Sequence, residues 1–323
     1  MLTHRNLVSN IIAGPIVLGG ISSDSVILGF LPLAHAFGCT NAFLSIIYSG
    51  ASIFFLKRKP SPRVLMAGME KVQPTHIGAV PLIFEKIYHK QVVPQIGGNR
   101  LLRWLVKIPL FRRILNRLIG RKVMRAFGGR LKTAIIGGAS LAPEVETFLR
   151  EGGIPYVVGY GMSECAPLAT GSRVEEQRFG SAGFAIRDVS IKILDPDPIT
   201  GIGEILVKGP NVMQGYYKNE AATRKVFTED NWLITGDRGY LDDDGYLYIK
   251  GRSKNVIIGP SGENIYPEII EDKLKGSLYV EEALVYELNR KLVARIYPNY
   301  PYIDSQTASQ EESVIAADIS KIL

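Results

Sequence analysis

Short apolar runs alternate with helical patterns through the first half of the sequence. Apolar residues recur at helical spacing between the runs, over 40–48, 61–72, 83–91 and 142–151. The runs themselves are residues 25–33, 51–57, 75–81, 131–139 and 155–161. A repeated strand–helix–strand pattern is typical of a parallel sheet whose two faces are covered by helices. We therefore predict an α/β fold with strands buried on both faces.

From about residue 180 the pattern changes to short strands separated by Gly, Pro and Asp. These runs, at 189–195, 203–209, 232–237 and 245–251, predict a small β-rich subdomain over about 180–250. After Arg252, a helix from Pro267 to about Leu274 and two further strands predict a small α+β domain. The expected organisation is a large domain over 1–250 and a partial C-terminal domain over 251–323.

Positive charge is concentrated in one segment. The chain has a net charge of +7, and residues 86–143 contain 13 Lys and Arg but neither Asp nor Glu. Within 100–130, basic and apolar residues interleave on both sides of Pro109, which predicts two short amphipathic helices. No nucleic-acid-binding module accompanies the charge, so we do not expect nucleic acid as a partner.

Two interpretations of this basic segment stay open. The first is a solvated helical face over the core. The second is a surface that lies on an anionic membrane, with some apolar side chains entering the bilayer. The residues that would enter it are Trp104, Leu105, Leu110 and Phe111.

Cysteine content and hydropathy indicate the compartment. The two cysteines, Cys39 and Cys165, stand far apart in dissimilar contexts, which predicts free thiols and a reducing environment. We interpret Cys165 as a small buried hydrophobic residue. The sequence lacks an apolar run of about 18 residues, so we expect no membrane span. These features favour a cytoplasmic protein, with contact at the inner membrane surface if the basic segment binds lipid.

Two apolar strands run into glycine turns, IIGGASL (135–141) and VVGYGMSECAP (157–167). Loops at the carboxyl ends of parallel strands converge, so these two predict a shared cleft. Tyr160 could stack there on a flat ring, while Ser163 and Glu164 suit phosphate oxygens and Mg²⁺. The alternative is an ordinary turn with a helix cap and a solvated Glu.

A carboxylate and a guanidinium follow later in the chain. Asp237 stands at a strand end in WLITGDRG, and Arg252 follows Gly251. Brought together, such groups can bind a ribose diol or each other. Residues 242–244, three Asp before Gly245, predict a hairpin turn, because the spacing of an EF-hand is absent.

Six motifs in a fixed order are more specific than any one of them. LPLAHAFG, IIGGASL, GYGMSECAP, YYKNEAATR, WLITGDRG and GRSKNVIIGPSGENIYPEIIE occur in that order. Together they resemble the acyl-CoA synthetases of the adenylate-forming, or AMP-binding, superfamily over residues 1 to about 290. AVPLIFEKIY (79–88) and SGENIYPEIIE look most like the long-chain fatty acyl-CoA synthetases. The resemblance implies ATP-dependent adenylation of a fatty acid to acyl-AMP, followed by rotation of a small mobile C-terminal domain and thioester formation with CoA.

The resemblance also implies roles for individual residues. Tyr160, with Gly161 beside it, would stack on adenine, and Asp237 and Arg252 would hold the ribose hydroxyls. Glu164 would bind Mg²⁺ beside the Ser163 hydroxyl. The residues that would line the nucleotide and acyl pocket are Gly137, Gly138 and Ala139.

Further roles concern the acyl and CoA ends of the reaction. His35 would lie near the acyl entrance, with a packed core histidine as the alternative. Lys254 matches the hinge, near 252–254, and the loop from Gly259 to Gly262 would approach CoA. The positions that depart from the family pattern are Ser163, Leu82 and Arg238, where Thr, Arg and an aliphatic residue are usual.

Two segments of the family pattern have no counterpart in this sequence. The Ser/Thr/Gly-rich phosphate loop would precede residue 1, and Lys321 lacks the context of the catalytic lysine. We therefore expect a downstream fragment of a long-chain acyl-CoA synthetase with very weak or no adenylation of its own. The alternatives are a non-catalytic homologue that binds nucleotide or acyl-adenylate as a sensor or partner subunit, and a ligase whose acceptor is a carrier-protein thiol.

Overall fold

The computed structural model describes residues 1–57, 60–93, 105–106, 108–259, 264–277, 279–289, 291–300 and 303. Helix α2 continues a π-helical segment, Phe37–Leu44. The α-helices are α1 (His4–Val17), α2 (Ser45–Tyr48), α3 (Pro62–Val72), α4 (Pro81–Gln91), α5 (Pro109–Ala126), α6 (Pro143–Gly152), α7 (Glu220–Lys225) and α8 (Pro267–Lys275). The helical patterns predicted between the first strands are therefore confirmed.

Five parallel strands form the central sheet, in the order β2-β1-β3-β4-β5. They are β1 (Val26–Gly29), β2 (Ser52–Phe55), β3 (His76–Ala79), β4 (Thr133–Ile136) and β5 (Tyr156–Val158). All four residues of β4 are buried. The helices that connect the strands cover the sheet, as the α/β prediction requires.

Strand β2 departs from the prediction that every strand is buried on both faces. It lies at the edge of the sheet, next to β1 alone within the described chain. The side chains of Phe54 and Phe55 are exposed. A run of four residues, three of them apolar, cannot reveal edge position, because the order of strands depends on contacts between distant segments.

The second half of the chain forms small antiparallel sheets. The first contains β6 (Tyr160–Gly161), β7 (Leu168–Gly171) and β8 (Phe184–Ala185). The second, in the order β12-β11-β10-β9, contains β9 (Ser190–Leu194), β10 (Gly203–Lys208), β11 (Leu233–Leu241) and β12 (Leu247–Arg252). The predicted strands are present, but the run 155–161 is divided between the parallel sheet and the first of these small sheets.

The segment after Arg252 combines helix α8 with short strands. A short ladder joins β13 (Ile257–Ile258) to β14 (Asn264–Ile265), and a hairpin joins β15 (Val280–Leu288) to β16 (Lys291–Pro298). Helix α8 packs on β15 and β12. The Ser140 hydroxyl donates to Asp272 of α8 at 3.2 Å. This contact brings the first glycine turn against the C-terminal helix.

The basic segment contains the second of its two predicted helices, which is 18 residues long. Helix α5 begins at Pro109, a residue favoured in the first turn because its missing N–H would have no helical partner there. The earlier of the two predicted helices, with Trp104, falls mostly outside the described residues. Helix α5 crosses α6 where the backbones of Gly120 and Gly152 meet.

Candidate active site

The two glycine turns lie side by side at the carboxyl edge of the parallel sheet. The amide of Gly137 donates to Ala79 at 3.2 Å and that of Gly159 to Ile136 at 2.9 Å, so the ladder continues past the strand ends. Gly138 has a φ of +91°, a conformation that favours glycine. Gly137 is buried, whereas Gly138 and Ala139 are exposed at this edge. The sequence prediction of a shared cleft corresponds to this edge.

Three predicted residues meet in one hydrogen-bonded group. The Tyr160 hydroxyl donates to Asp237 Oδ2 at 2.7 Å, and Arg252 Nε lies 3.2 Å from Asp237 Oδ1. Asp237 on β11 and Arg252 on β12 are direct cross-strand partners, which explains why residues 15 apart converge. Burial, reinforced by the Asp237 charge, raises the pKa of Tyr160 well above 10, so the phenol remains a donor.

Exposure differs within this Tyr160–Asp237–Arg252 group. The side chains of Tyr160 and Asp237 are buried, but that of Arg252 is 66% exposed. The guanidinium can therefore reach a ligand while it holds the carboxylate in place. Gly161, next to Tyr160, packs so closely on Pro167 that an added Cβ would overlap the Pro167 carbonyl.

Glu164 has a partner that sequence reasoning missed. The hydroxyl of Tyr216 donates to Glu164 Oε1 at 2.9 Å, so Glu164 is not simply solvated. Burial and the Glu164 carboxylate raise the pKa of Tyr216. Tyr216 lies in the motif YYKNEAATR, but nothing in that motif relates it to a residue 52 positions away. Ser163 is exposed and is the first residue of a short 3₁₀-helix, Ser163–Cys165.

The chemistry around Glu164 fits a magnesium ion in a particular way. Among the described residues no three His, Cys, Asp or Glu side chains form a group that could hold a metal ion. Magnesium sites in nucleotide enzymes commonly use one or two carboxylates, with phosphates and water as the remaining ligands. Glu164 fits such a partial contribution. Cys165 is fully buried, and burial raises the pKa of its thiol, which agrees with its interpretation as a hydrophobic residue.

An apolar cavity of about 960 Å³ opens beside Gly138. His35 lines it and is exposed, so His35 is not the packed core residue of the alternative interpretation. Leu82 also lines it. The deeper walls come from helices α3, α4 and α5, and the residues are Leu65, Met66, Ile83, Ile87, Val123 and Phe127. Sequence reasoning did not find these residues, because their shared surface depends on how three helices pack.

The remaining predicted residues lie towards the C-terminal segment. Lys254 is exposed in a 3₁₀-helix, Ser253–Asn255, directly after β12. Ser253 donates to Glu204, and Asn255 donates to Glu268 at 2.7 Å. Gly262, predicted to approach CoA, lies outside the described residues.

Two curated proteins illustrate what the chain is similar to. The chain is 31% identical over 278 residues to the long-chain-fatty-acid–CoA ligase FadD15 of Mycobacterium bovis, covering 80% of this chain and 44% of that protein. It is 31% identical over 323 residues to human long-chain-fatty-acid–CoA ligase 1, covering 93% of this chain and 46% of that protein. The chain thus spans about half the length of the curated relatives it matches. Both relatives are acid–thiol ligases by name.

Solved structures show the same fold. The o-succinylbenzoate CoA synthetase of Bacillus subtilis, in complex with its acyl-adenylate intermediate, matches with a TM-score of 0.70 and 27% identity over 95% of this chain and 59% of that one. The profile of the family described as AMP-binding enzyme matches residues 1–217. The chain therefore belongs to the AMP-binding enzyme family.

Proposed function

We propose that this chain forms the acyl-adenylate-binding part of a long-chain fatty acid–CoA ligase. The observation that carries the proposal is the apolar cavity of about 960 Å³, which opens at Gly138 on the same sheet edge as the Tyr160–Asp237–Arg252 group. A cavity of this size suits a large apolar ligand with few polar contacts. The fatty acyl chain would occupy it, and AMP would lie at its mouth.

The proposed first step joins two anions. The fatty carboxylate attacks the α-phosphorus of ATP, the α–β phosphoanhydride bond breaks, and pyrophosphate leaves with the electron pair. Asp237 accepts hydrogen bonds from the ribose hydroxyls, and Arg252 donates to them. Mg²⁺, when bound through Glu164, supplies positive charge to the phosphates. The ring of Tyr160 and the turn Gly137–Ala139 hold the adenine.

In the proposed second step the CoA thiol attacks the acyl carbonyl and AMP leaves. The segment after Lys254 would rotate about residues 252–254 and bring the loop around Gly262 to the thiol. Lys254 is exposed and Asn255 is tied to Glu268 of α8, so a change of backbone angles at 252–254 would carry α8 along. We expect the isolated chain to bind acyl-adenylate but to have very weak or no adenylation, because its sequence contains no phosphate loop.

Titration with stable adenylate analogues tests the proposal. We expect palmitoyl-sulfamoyl adenosine to bind the full chain at least about 100-fold more tightly than adenosine, because the acyl chain leaves water for an apolar cavity. Isothermal calorimetry measures both affinities. Equal affinities would contradict the assignment of the cavity. An assay of pyrophosphate release from the complete gene product separates an enzyme from a non-catalytic sensor, which would bind without turnover.

A matched pair of variants locates the acyl chain. Met66→Trp fills part of the cavity and should weaken binding of the palmitoyl analogue at least about tenfold while leaving adenosine binding unchanged. Met66→Leu conserves volume and is the control. If both variants bind the palmitoyl analogue like the unchanged protein, the acyl chain does not occupy this cavity.

A further inference from the structure

Helix α5 presents an outward face on which aliphatic and basic side chains alternate. Its inner face is buried through Asn116, Ile119, Gly120 and Val123. On the outer face Leu110, Ile114 and Leu118 are 69%, 53% and 57% exposed. These three residues follow each other at four-residue spacing, so they form one stripe along the helix. Exposed leucine and isoleucine in a continuous stripe are unusual on a surface that meets only water.

Basic residues flank this stripe on the same helix. Arg113, Arg117, Arg121 and Arg125 are exposed, and helix α5 contains no acidic residue. Within the described ranges, no carboxylate comes within ion-pair distance of Arg113, Arg117 or Arg121. The outer face therefore carries an excess of positive charge.

Glu151 on the neighbouring helix α6 offsets only part of this charge. Arg112 donates to it through Nε and Nη2, at 3.1 and 2.7 Å, and Asn116 donates at 2.7 Å. Burial works against ionisation, but these hydrogen bonds hold the pKa of Glu151 below its usual value. The carboxylate is thus held by Arg112 and Asn116, and its single charge also acts on the nearby Arg113.

A groove of about 740 Å³ runs between α5 and α6 under this face. Four guanidinium groups line it together with three apolar side chains, the Thr147 hydroxyl and the Glu151 carboxylate. Guanidinium groups suit phosphate oxygens because they donate two parallel hydrogen bonds. The basic residues are Arg113, Arg117, Arg121 and Arg150, and the apolar ones are Ile114, Leu118 and Phe179.

The inner side of the same helix reaches the apolar cavity. Lys122, Val123 and Ala126 line the cavity, and Phe127 follows directly after the helix. One helix therefore separates the basic outer face from the space that we assign to the acyl chain. A molecule held against the outer face would lie within one helix diameter of that space, about 10 Å.

We propose that the outer face of α5 docks on a bilayer of anionic phospholipids. The stripe of Leu110, Ile114 and Leu118 enters the interface, and the arginines bind headgroup phosphates. Charge complementarity selects an anionic surface, and the aliphatic stripe selects a bilayer over a polyanion in water. This proposal rests on the proposed function. It means that the fatty acid reaches its cavity from the membrane.

Flotation with lipid vesicles tests the docking surface in the full chain. We expect flotation with vesicles that contain phosphatidylglycerol but not with pure phosphatidylcholine. Arg113→Glu, Arg117→Glu and Arg121→Glu combined should reduce partitioning at least about 100-fold, since each basic residue near an anionic surface contributes about fivefold. The control combines Arg187→Glu, Arg224→Glu and Lys225→Glu, which make the same charge change at exposed positions outside the groove, and should float normally.

A second set of variants probes the apolar stripe. Leu110→Gln, Ile114→Gln and Leu118→Gln combined keep the charge and should still reduce flotation at least about tenfold. Circular dichroism melting checks that every variant is folded. Three results would overturn the proposal. The first is an unchanged protein that does not float at all, and the second is an arginine variant that floats as well as its control. The third is a stripe variant that floats normally while the unchanged protein is retained on immobilised RNA. Binding of palmitoyl-sulfamoyl adenosine, measured without vesicles, reports on the proposed function separately.

Discussion

Asp237 receives side chains from two distant parts of the chain. Tyr160 donates to one of its oxygens and Arg252 lies against the other. The carboxylate therefore connects strand β6, which carries Tyr160, with strand β12, which carries Arg252. Removing its charge should therefore affect both stability and ligand binding. A buried hydrogen-bonding group contributes more than an exposed ion pair, because its partners cannot turn to water.

We predict that Asp237→Asn lowers the free energy of unfolding by about 1–3 kcal/mol, since it leaves one buried partner without a matching acceptor. Its affinity for palmitoyl-sulfamoyl adenosine should fall at least about tenfold, as expected when a charged acceptor is lost. Urea denaturation and calorimetry measure the two effects.

The control for this change is Asp188→Asn. Asp188 pairs with Arg187 at 3.5 Å, but both side chains are about 70% exposed, at 72% and 67%. An exposed pair contributes roughly 0–1 kcal/mol, so this variant should behave like the unchanged protein. Equal losses in Asp237→Asn and Asp188→Asn would refute the role given to burial.

At the scale of elements, the crossing of α5 and α6 depends on two glycines. A Cβ added at Gly120 would overlap the backbone carbonyl of Gly152, so the helices approach as closely as their backbones permit. Gly120→Ala should lower the free energy of unfolding by about 1–3 kcal/mol, although alanine is the better helix former. Chemical denaturation measures the change.

Arg121→Ala is the matched control for Gly120→Ala. It introduces alanine one residue further along α5, on the exposed side. Its stability should stay within about 0.5 kcal/mol of the unchanged protein. A Gly120→Ala variant as stable as this control would mean that α5 can move away from α6 without loss.

The elements were predictable to different degrees, for physical reasons. Periodicity identified the five parallel strands and most helices, because burial on two faces leaves continuous apolar runs. The edge position of β2 and the packing of α3, α4 and α5 around the cavity depend on contacts between distant segments. The motifs named Tyr160, Glu164, Asp237 and Arg252. Tyr216 was missed, because nothing in YYKNEAATR relates it to Glu164, 52 positions away. The limits of the two domains stay predictions.

At the scale of the whole molecule, charged groups lie where helix α8 meets the helices beside the parallel sheet. Lys275 pairs with Asp272 at 2.8 Å, and Ser140 donates to the same carboxylate. Burial raises the pKa of Glu144, and the charges of Asp272 and Glu85 add to that effect. Burial likewise raises the pKa of Glu85.

These raised pKa values give stability a definite pH dependence. A carboxyl group whose pKa is higher in the folded state binds more protons there than in the unfolded chain. Its contribution to stability is therefore gained as pH falls through the folded pKa and lost as pH rises. The pH range in which this loss occurs extends upward from 4.5, the usual pKa of glutamate.

We predict that Glu144→Gln flattens this dependence. Between pH 5 and 8, the free energy of unfolding should fall less steeply with pH in the variant than in the unchanged protein, since Gln does not ionise. Denaturation at a series of pH values gives the slopes. Glu229→Gln makes the same chemical change at an exposed position and serves as the control. A steeper slope in Glu144→Gln would contradict the assigned direction.

The outer strand of the parallel sheet has a consequence for handling the protein. Along one side of Ser52–Phe55, the described chain leaves backbone amide and carbonyl groups without a neighbouring strand. The strand contains no charged residue, and its phenylalanines are exposed. Such an edge accepts another extended chain, including a second copy of itself. A purified sample is therefore expected to associate at high concentration even while the chain stays folded.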